Sequence, residues 1–413
     1  MRKRLTLVLI VLPAMAWALL AFTGRCAAEK VTSRFGASIL AGNDGKFTNV
    51  ERFVEGRLRD GVVLLTAACW LLLVYRLAAV WANRRFPAPA NWIARGWCAF
   101  VCLNLFAGVA SHTLLFWCLL FNGKDRTINY TQYQIKQRLL KEAEARSQAV
   151  LMGASQTRTQ IDPKVLNDRL GAKVWTTELH FPGSTPYDMG LCLERLPKAR
   201  VDYIITYFSE ANFFGQHDDG RLMYFFGCRD LRHYCELGQG KPPFDRYMVA
   251  GLLGDVFPLY RVWEPLVARA WGWRVANKEQ ERYDAALDTN LVSRAHEEAK
   301  GMYFVPDYDF QKQAFMEFAK MCRERGCRLI VCCGQMNPIL ERALDPRLRP
   351  SMLSFLREQA AKDPNIVLLD ESQLPPQVES DYEDLTHVNH TNRLRFSQFI
   401  GDKLEALAQG KSR

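Results

Sequence analysis

Ala149-Val150-Leu151-Met152-Gly153-Ala154-Ser155 is a run of four apolar residues stopped by three small ones. A helix needs ten or more residues of 3.6 periodicity, so so short a run, closed by glycine, reads as a buried strand feeding a tight loop. The same alternation continues downstream. Residues 173–179 read as a second strand, followed by the turn His180-Phe181-Pro182-Gly183, and 189–196 suit a helix before the β-prone run 201–208. Further on come a helix over 310–325, a strand over 327–333, a helix over 350–361, a strand over 366–369 and a closing amphipathic helix over 396–408. Strands alternating with helices predict an α/β domain whose parallel sheet carries helices on both faces. Between 213 and 301 the pattern breaks into an aromatic-rich mixture of helix and loop, which reads as an insertion in that domain. Its group Phe257, Tyr260, Trp263, Leu266, Trp271 and Trp273 suits either a membrane surface or packing against the domain.

Upstream of Ala149 the composition changes. The chain has 413 residues, 49% of them hydrophobic and 12% aromatic, which excludes general disorder and leads us to expect more than one unit. Apolar residues crowd the first third, where 5–22, 61–81 and 97–121 read as transmembrane helices. The first is either a retained helix or a signal peptide, with Cys26-Ala27-Ala28 as a small-residue cleavage site and Arg25 excluding a lipobox. Arg76 is near enough to the end of the second span to snorkel, and His112 in the third suits a helix–helix hydrogen bond or a functional role. The net charge of +10 does not require a nucleic-acid partner, because Arg2, Lys3, Arg4, Arg84, Arg85 and Arg95 flank these runs as topology signals. Those cations belong in the cytoplasm. The expected layout is therefore a membrane anchor over 1–126, a stalk helix over 127–147 and a domain over 148–413 on the periplasmic or extracellular side of a cytoplasmic (inner) membrane, with the chain multi-pass and membrane-integral. Outside the membrane, Cys228 with Cys235 and Cys322 with Cys327 are close enough to be disulfide candidates.

Open α/β sheets place functional groups in loops beyond the carboxyl ends of their strands. Ser155 directly follows the first strand, where a hydroxyl stays exposed and its backbone N–H free, as a nucleophile needs. Asp384 and His387, three apart in Asp384-Leu385-Thr386-His387, suit a base and the carboxylate that orients it. The same residues also suit an acidic helix N-terminus or, with His390, a metal ligand set. Gly183 allows close backbone approach, and Asn212 is a side-chain type found in oxyanion holes, although each serves ordinary turns as well. Gln335, Met336, Asn337 and Pro338 follow a strand and could line the cleft.

Taken together, the order Gly153-x-Ser155, Gly183, Asn212 and a C-terminal Asp384-x-x-His387 resembles the SGNH hydrolase superfamily over roughly 148–407, minus the insertion. The chain is similar to membrane-anchored cell-envelope members, the alginate acetyltransferase-like proteins and the D-alanyl transfer protein of teichoic acid synthesis. It departs from the usual Gly-Asp-Ser at Ala154, from a common glycine at Asn392, and has a loose block at Ser209-Glu210-Ala211-Asn212. The resemblance implies a flavodoxin-like three-layer domain with Ser155 as nucleophile, His387 as base and Asp384 as its orienter. It also implies an oxyanion hole from the Ser155 N–H, Gly183 and Asn212, with no cofactor and no metal. The expected function is serine-dependent O-acyl (acetyl) transfer to, or ester hydrolysis on, an extracytoplasmic polysaccharide or glycan, with a membrane-embedded acyl-donor protein as partner. The alternative is a catalytically inactive SGNH-like scaffold module of an envelope polysaccharide assembly complex.

Overall fold

The structure is a computed structural model that describes residues 2–42, 49–120, 128–142, 148–170, 174–181, 183–197, 201–214, 226–238, 246–271, 291–302 and 310–409. It divides into two compact units, 1–138 with 252–274, and 139–251 with 275–413.

The first unit is helical: α1 (Arg2–Gly42), α2 (Val50–Arg85), α3 (Ala88–Ser111) and α4 (Leu114–Leu120) precede α5 (Ile128–Glu142), which begins here. Two of these helices, α2 and α3, are long and apolar enough to cross a membrane. A third candidate arises if the limbs Val8–Ala21 and Thr23–Arg34, bent by 64°, count as one span. The stretch 97–121 is not one helix. It breaks at His112-Thr113 because the Thr113 hydroxyl accepts the Phe116 N–H (3.3 Å), and the Asp60 carboxylate accepts the Leu115 N–H (3.1 Å). Both bonds cap a new helix start. The spanning helix instead begins earlier, at Ala88, behind Pro87.

The second unit is built on five strands: β1 (Gln148–Gly153), β2 (Trp175–His180), β3 (Tyr203–Phe208), β4 (Arg328–Cys333) and β5 (Ile366–Leu369). All pair in parallel, in the order β2-β1-β3-β4-β5. Between β1 and β2 lie α6 (Ser155–Gln160) and α7 (Pro163–Leu170); α8 (Pro186–Glu194) leads to β3. The β3–β4 crossover contains α9 (Glu210–Phe214), α10 (Leu231–Leu237), α11 (Arg246–Val256), α12 (Pro258–Trp271), α13 (Leu291–Lys300) and α14 (Phe310–Glu324). After β4 come α15 (Pro338–Ala343) and α16 (Leu348–Lys362), and α17 (His390–Ala408) closes the chain.

Strand side chains alternate between two buried faces, which is why the strands read as near-continuous apolar runs. Ala149, Leu151, Ile205, Tyr207, Ile330 and Cys332 pack with Leu166 and Leu170 of α7 and with Phe396, Ile400 and Leu404 of α17. Phe208 points the other way, against Phe213 and Phe315 of α14. Each such side chain contributes about 1.5–3 kcal/mol on burial, so the sheet is held from both sides. The closing helix starts at His390, six residues before the apolar pattern indicates, because the Asn389 side chain caps it by accepting the Asn392 N–H at 2.9 Å. Cys228, Cys235, Cys322 and Cys327 are all thiols; burial pushes Cys327 up to about 11.

Candidate functional site

Every sequence-derived candidate follows the carboxyl end of a strand. Ser155 comes two residues after β1, Gly183 three after β2, Asn212 four after β3, and Asp384 and His387 lie beyond β5. Ser155 is the first residue of α6, so its N–H has no acceptor within the helix. The helix can approach the strand so closely because residue 153 is glycine: a Cβ there would lie 2.0 Å from the Thr157 hydroxyl. That hydroxyl accepts the Tyr207 N–H at 3.2 Å. It thereby ties α6 to β3 beyond Leu151↔Ile205, the last pairing of β1 with that strand.

The structure brings Ser155, His387 and Asp384 together. His387 Nε2 lies 2.8 Å from Ser155 Oγ, and Nδ1 lies 2.7 Å from Asp384 Oδ2. Asp384 also accepts the His387 N–H at 2.7 Å and the Thr386 N–H at 2.7 Å. Burial acts to raise the Asp384 carboxyl. The hydrogen bond and charge of His387 and the two N–H donors outweigh it and hold the group at about 2. An ionised Asp384 can only accept, so the imidazole proton sits on Nδ1 and Nε2 is the lone pair that receives the Ser155 hydroxyl. A serine, an imidazole and a carboxylate so ordered can pass the serine proton to the ring as Oγ attacks an electrophile.

Because the folded-state value lies below the unfolded-state one, Asp384 stabilises the fold above about pH 4, and the contribution disappears as pH falls towards 2. The shift amounts to about 2 kcal/mol. Acid unfolding followed by circular dichroism should therefore show wild type losing about 2 kcal/mol more than Asp384→Asn between about pH 4 and 2. Equal losses would mean that the carboxylate is not held in this way.

Gly183 has φ +62°, a backbone conformation that side-chain-bearing residues rarely adopt. It precedes Ser184, whose N–H and hydroxyl both donate to the Phe181 carbonyl, at 3.1 and 2.6 Å. Asn212 is buried. Its amide donates to the Ser184 carbonyl at 2.8 Å, and its carbonyl accepts the Ser209 N–H at 2.8 Å. The side chain thus fastens the Gly183 turn to the end of β3, leaving one amide proton for another acceptor.

Two of the residues after β4 hold the loop that carries Asp384 and His387. Asn337 is buried; its N–H donates to the Leu385 carbonyl at 3.2 Å and its amide to the Asp384 carbonyl at 3.1 Å. Met336 is fully buried against Leu385. Asp384 therefore does not cap α17, whose start belongs to Asn389. Among the described residues, no group of three or more His, Cys, Asp or Glu is arranged to hold a metal ion.

Two features had no signal in the sequence. The first is a buried chain of hydrogen bonds from α6 to the loop that carries Asp384 and His387. The Gln377 amide donates to Gln160 Oε1 (2.9 Å), Tyr382 Oη donates to Gln377 Oε1 (2.6 Å), and Gln160 donates to Tyr207 Oη (3.1 Å). Tyr382 in turn forms a β-bridge with Val388, beside His387. Gln377→Leu should leave the Gln160 side-chain oxygen and the Tyr382 hydroxyl unpaired, at about 1–3 kcal/mol. Thermal melts of the variant read the effect.

The second is Glu298, on α13. Ala295 of this helix belongs to the same buried cluster as Leu385, so α13 packs beside the loop that carries Asp384 and His387. Burial raises the Glu298 carboxyl, Arg294 (3.7 Å away) opposes the rise, Asp384 adds to it and His387 opposes it. Glu298 thus shares the electrostatic field of the triad.

No protein-family model and no curated protein matches the chain.

Proposed function

We propose that the chain is a membrane-integral SGNH-type serine O-acyltransferase or esterase. It forms an acyl-enzyme on Ser155 and passes the acyl group, acetyl in the simplest case, to a hydroxyl of an extracytoplasmic envelope polysaccharide or to water. The observation that carries this reading is the continuous Ser155–His387–Asp384 hydrogen-bond chain at 2.8 and 2.7 Å. The strand order β2-β1-β3-β4-β5 supports a flavodoxin-like three-layer assignment.

In the first half-reaction Ser155 Oγ attacks the acyl carbonyl and its proton moves to His387 Nε2. The bond to the donor's oxygen then breaks, and His387 returns the proton to that leaving group. In the second, the acceptor hydroxyl gives its proton to His387 and attacks the acyl-serine; the proton passes to Ser155 Oγ as it departs. The Ser155 N–H, the Gly183 N–H and the remaining Asn212 amide proton are the proposed oxyanion donors. The spanning helices and the cation-rich 83–95 segment support a domain on the periplasmic or extracellular side. There an acyl group would come from a membrane-embedded donor protein.

A second reading, an inactive scaffold module of an envelope assembly complex, is favoured by the commitment of the Asn212 amide to Ser184.

The test uses the full chain in detergent with p-nitrophenyl acetate, followed by intact-mass spectrometry. The proposal expects one acetyl adduct on wild type and none on Ser155→Ala. A folded wild type that releases no p-nitrophenol and carries no adduct would leave the scaffold reading standing.

A further inference from the structure

The junction of α11 and α12, from residue 252 on, belongs to the helical unit, and its chemistry differs from that of the rest of the insertion. Residues 252–260 read Leu-Leu-Gly-Asp-Val-Phe-Pro-Leu-Tyr. Leu253, Val256, Phe257, Tyr260 and Trp263 are all exposed; Val256 reaches 60% and Trp263 57%. In water such a ridge is unfavourable.

What this segment rests on identifies its surroundings. Residues 100, 104 and 108 form one stripe of α3, and the segment covers that stripe. Phe257 meets Phe100 at 5.4 Å between ring centroids, and the Leu259 N–H donates to the side-chain oxygen of the buried Asn104 at 3.1 Å. Pro258 lies over Gly108, where a Cβ would meet the proline ring in ordinary van der Waals contact at 3.6 Å. The adjacent stripe of α3, Trp97, Val101, Leu105 and Val109, is exposed and apolar. On a helix apolar enough to cross a membrane, that stripe faces lipid. The ridge of the 252–263 segment adjoins that stripe through ring contacts, Phe257 on Phe100 and Phe100 on Trp97 at 5.8 Å.

Depth follows from α3. Asn104 is seven residues before Ser111, the helix end, or about 10 Å along the axis at 1.5 Å per residue. An amphipathic helix lying in the interface buries its apolar face about 5–10 Å into the headgroup–acyl boundary. Asp255, the charge nearest the junction, is paired with Arg261 at 3.9 Å, which lowers the cost of that depth. Arg269 lies in the last turn of α12, away from the junction.

We propose that residues 252–263 are a membrane-inserted helical junction, docked on α3 and embedded among the phospholipid acyl chains of the leaflet at the Ser111 end of that helix. The proposal is independent of any activity at Ser155. The full chain, reconstituted in phosphatidylethanolamine–phosphatidylglycerol nanodiscs containing a phospholipid with an acyl-chain diazirine, is irradiated and its peptides are mapped by mass spectrometry. Lipid adducts are expected on peptides covering 252–263, on α2 and on α3, and not on α16. Labelling of 252–263 should be lost in Val256→Asp while that of α2 persists. Adducts on α2 and α3 with none on 252–263 would overturn the proposal, whether water or another protein covers the ridge. Unchanged labelling in Val256→Asp would overturn it as well.

Discussion

Replacing His387 by alanine is expected to lower acyl turnover by about 10⁶-fold, as much as replacing Ser155, because a serine hydroxyl without its base is a poor nucleophile at neutral pH. Asp384→Asn should cost about 10⁴-fold. The asparagine could offer its amide to Nδ1, which would place the imidazole proton on Nε2 and leave the ring unable to accept from Ser155. Non-additivity is the stronger signature. If Ser155 and His387 act as one unit, the double alanine variant should be no slower than either single variant, leaving only the residual rate of the oxyanion donors and substrate binding. Stopped-flow release of p-nitrophenol from the four proteins gives the answer. A His387→Ala variant within tenfold of wild type would remove the imidazole from the chemistry despite its 2.8 Å approach to Ser155.

The parts of the fold legible in the sequence were those set by short-range pattern. The strand read at 366–369 is Ile366–Leu369, and 327–333 and 310–325 each lie within one residue of the elements found, because an apolar run or a 3.6 period declares itself locally. The break at His112-Thr113 was not legible, since it depends on Asp60 reaching the Leu115 N–H from another helix. The insertion over 213–301 read as one block, yet residues 252–274 belong with the helical unit while α13 packs beside the loop that carries Asp384 and His387. No local periodicity separates those two fates. The site divides in the same way. Ser155, Asp384 and His387 stand out because chemistry demands their residue types at loop positions. Asn212 was legible as a residue but not as a fastener of Ser184. Gln377 and Glu298 escaped notice because a lone amide or carboxylate in a polar stretch has no pattern until the fold surrounds it.

Arg349→Leu is expected to destabilise the α/β unit by about 3 kcal/mol, the low end of the cost of removing one partner from a buried ion pair, because Glu210 is buried while Arg349, Glu341 and Glu371 are only partly so. The guanidinium donates to Glu210 at 3.0 Å, to Glu341 at 3.4 Å, to Glu371 at 2.7 Å and to the Gly334 carbonyl at 3.2 Å. Burial alone would lower the Arg349 guanidinium; the three carboxylates outweigh it and keep it charged. Glu210 is 1% exposed and has no water to turn to when the cation leaves. Burial already pushes Glu341 upward, with Arg349 opposing it, so deleting Arg349 raises that carboxyl further above its unfolded value. A group raised in the folded state stabilises the fold below its unfolded pKa and loses that contribution as pH rises through the folded one. The deficit of Arg349→Leu should therefore be largest near pH 7 and shrink towards about pH 4, which urea unfolding at the two pH values would measure. Adding Glu210→Leu should restore part of the loss, since an apolar pair can replace a buried ionic one without penalty. The consequences extend to the site. Glu210 precedes Asn212 by two residues, Glu341 accepts the Met336 N–H beside the Asn337 clamp, and Glu371 follows β5. One cation therefore gathers the loops after β3, β4 and β5, and its loss should loosen the Ser155–His387 contact as well as the fold. A deficit that does not change with pH would show that packing of the arginine stem, not neutralisation of the carboxylates, is what α16 contributes.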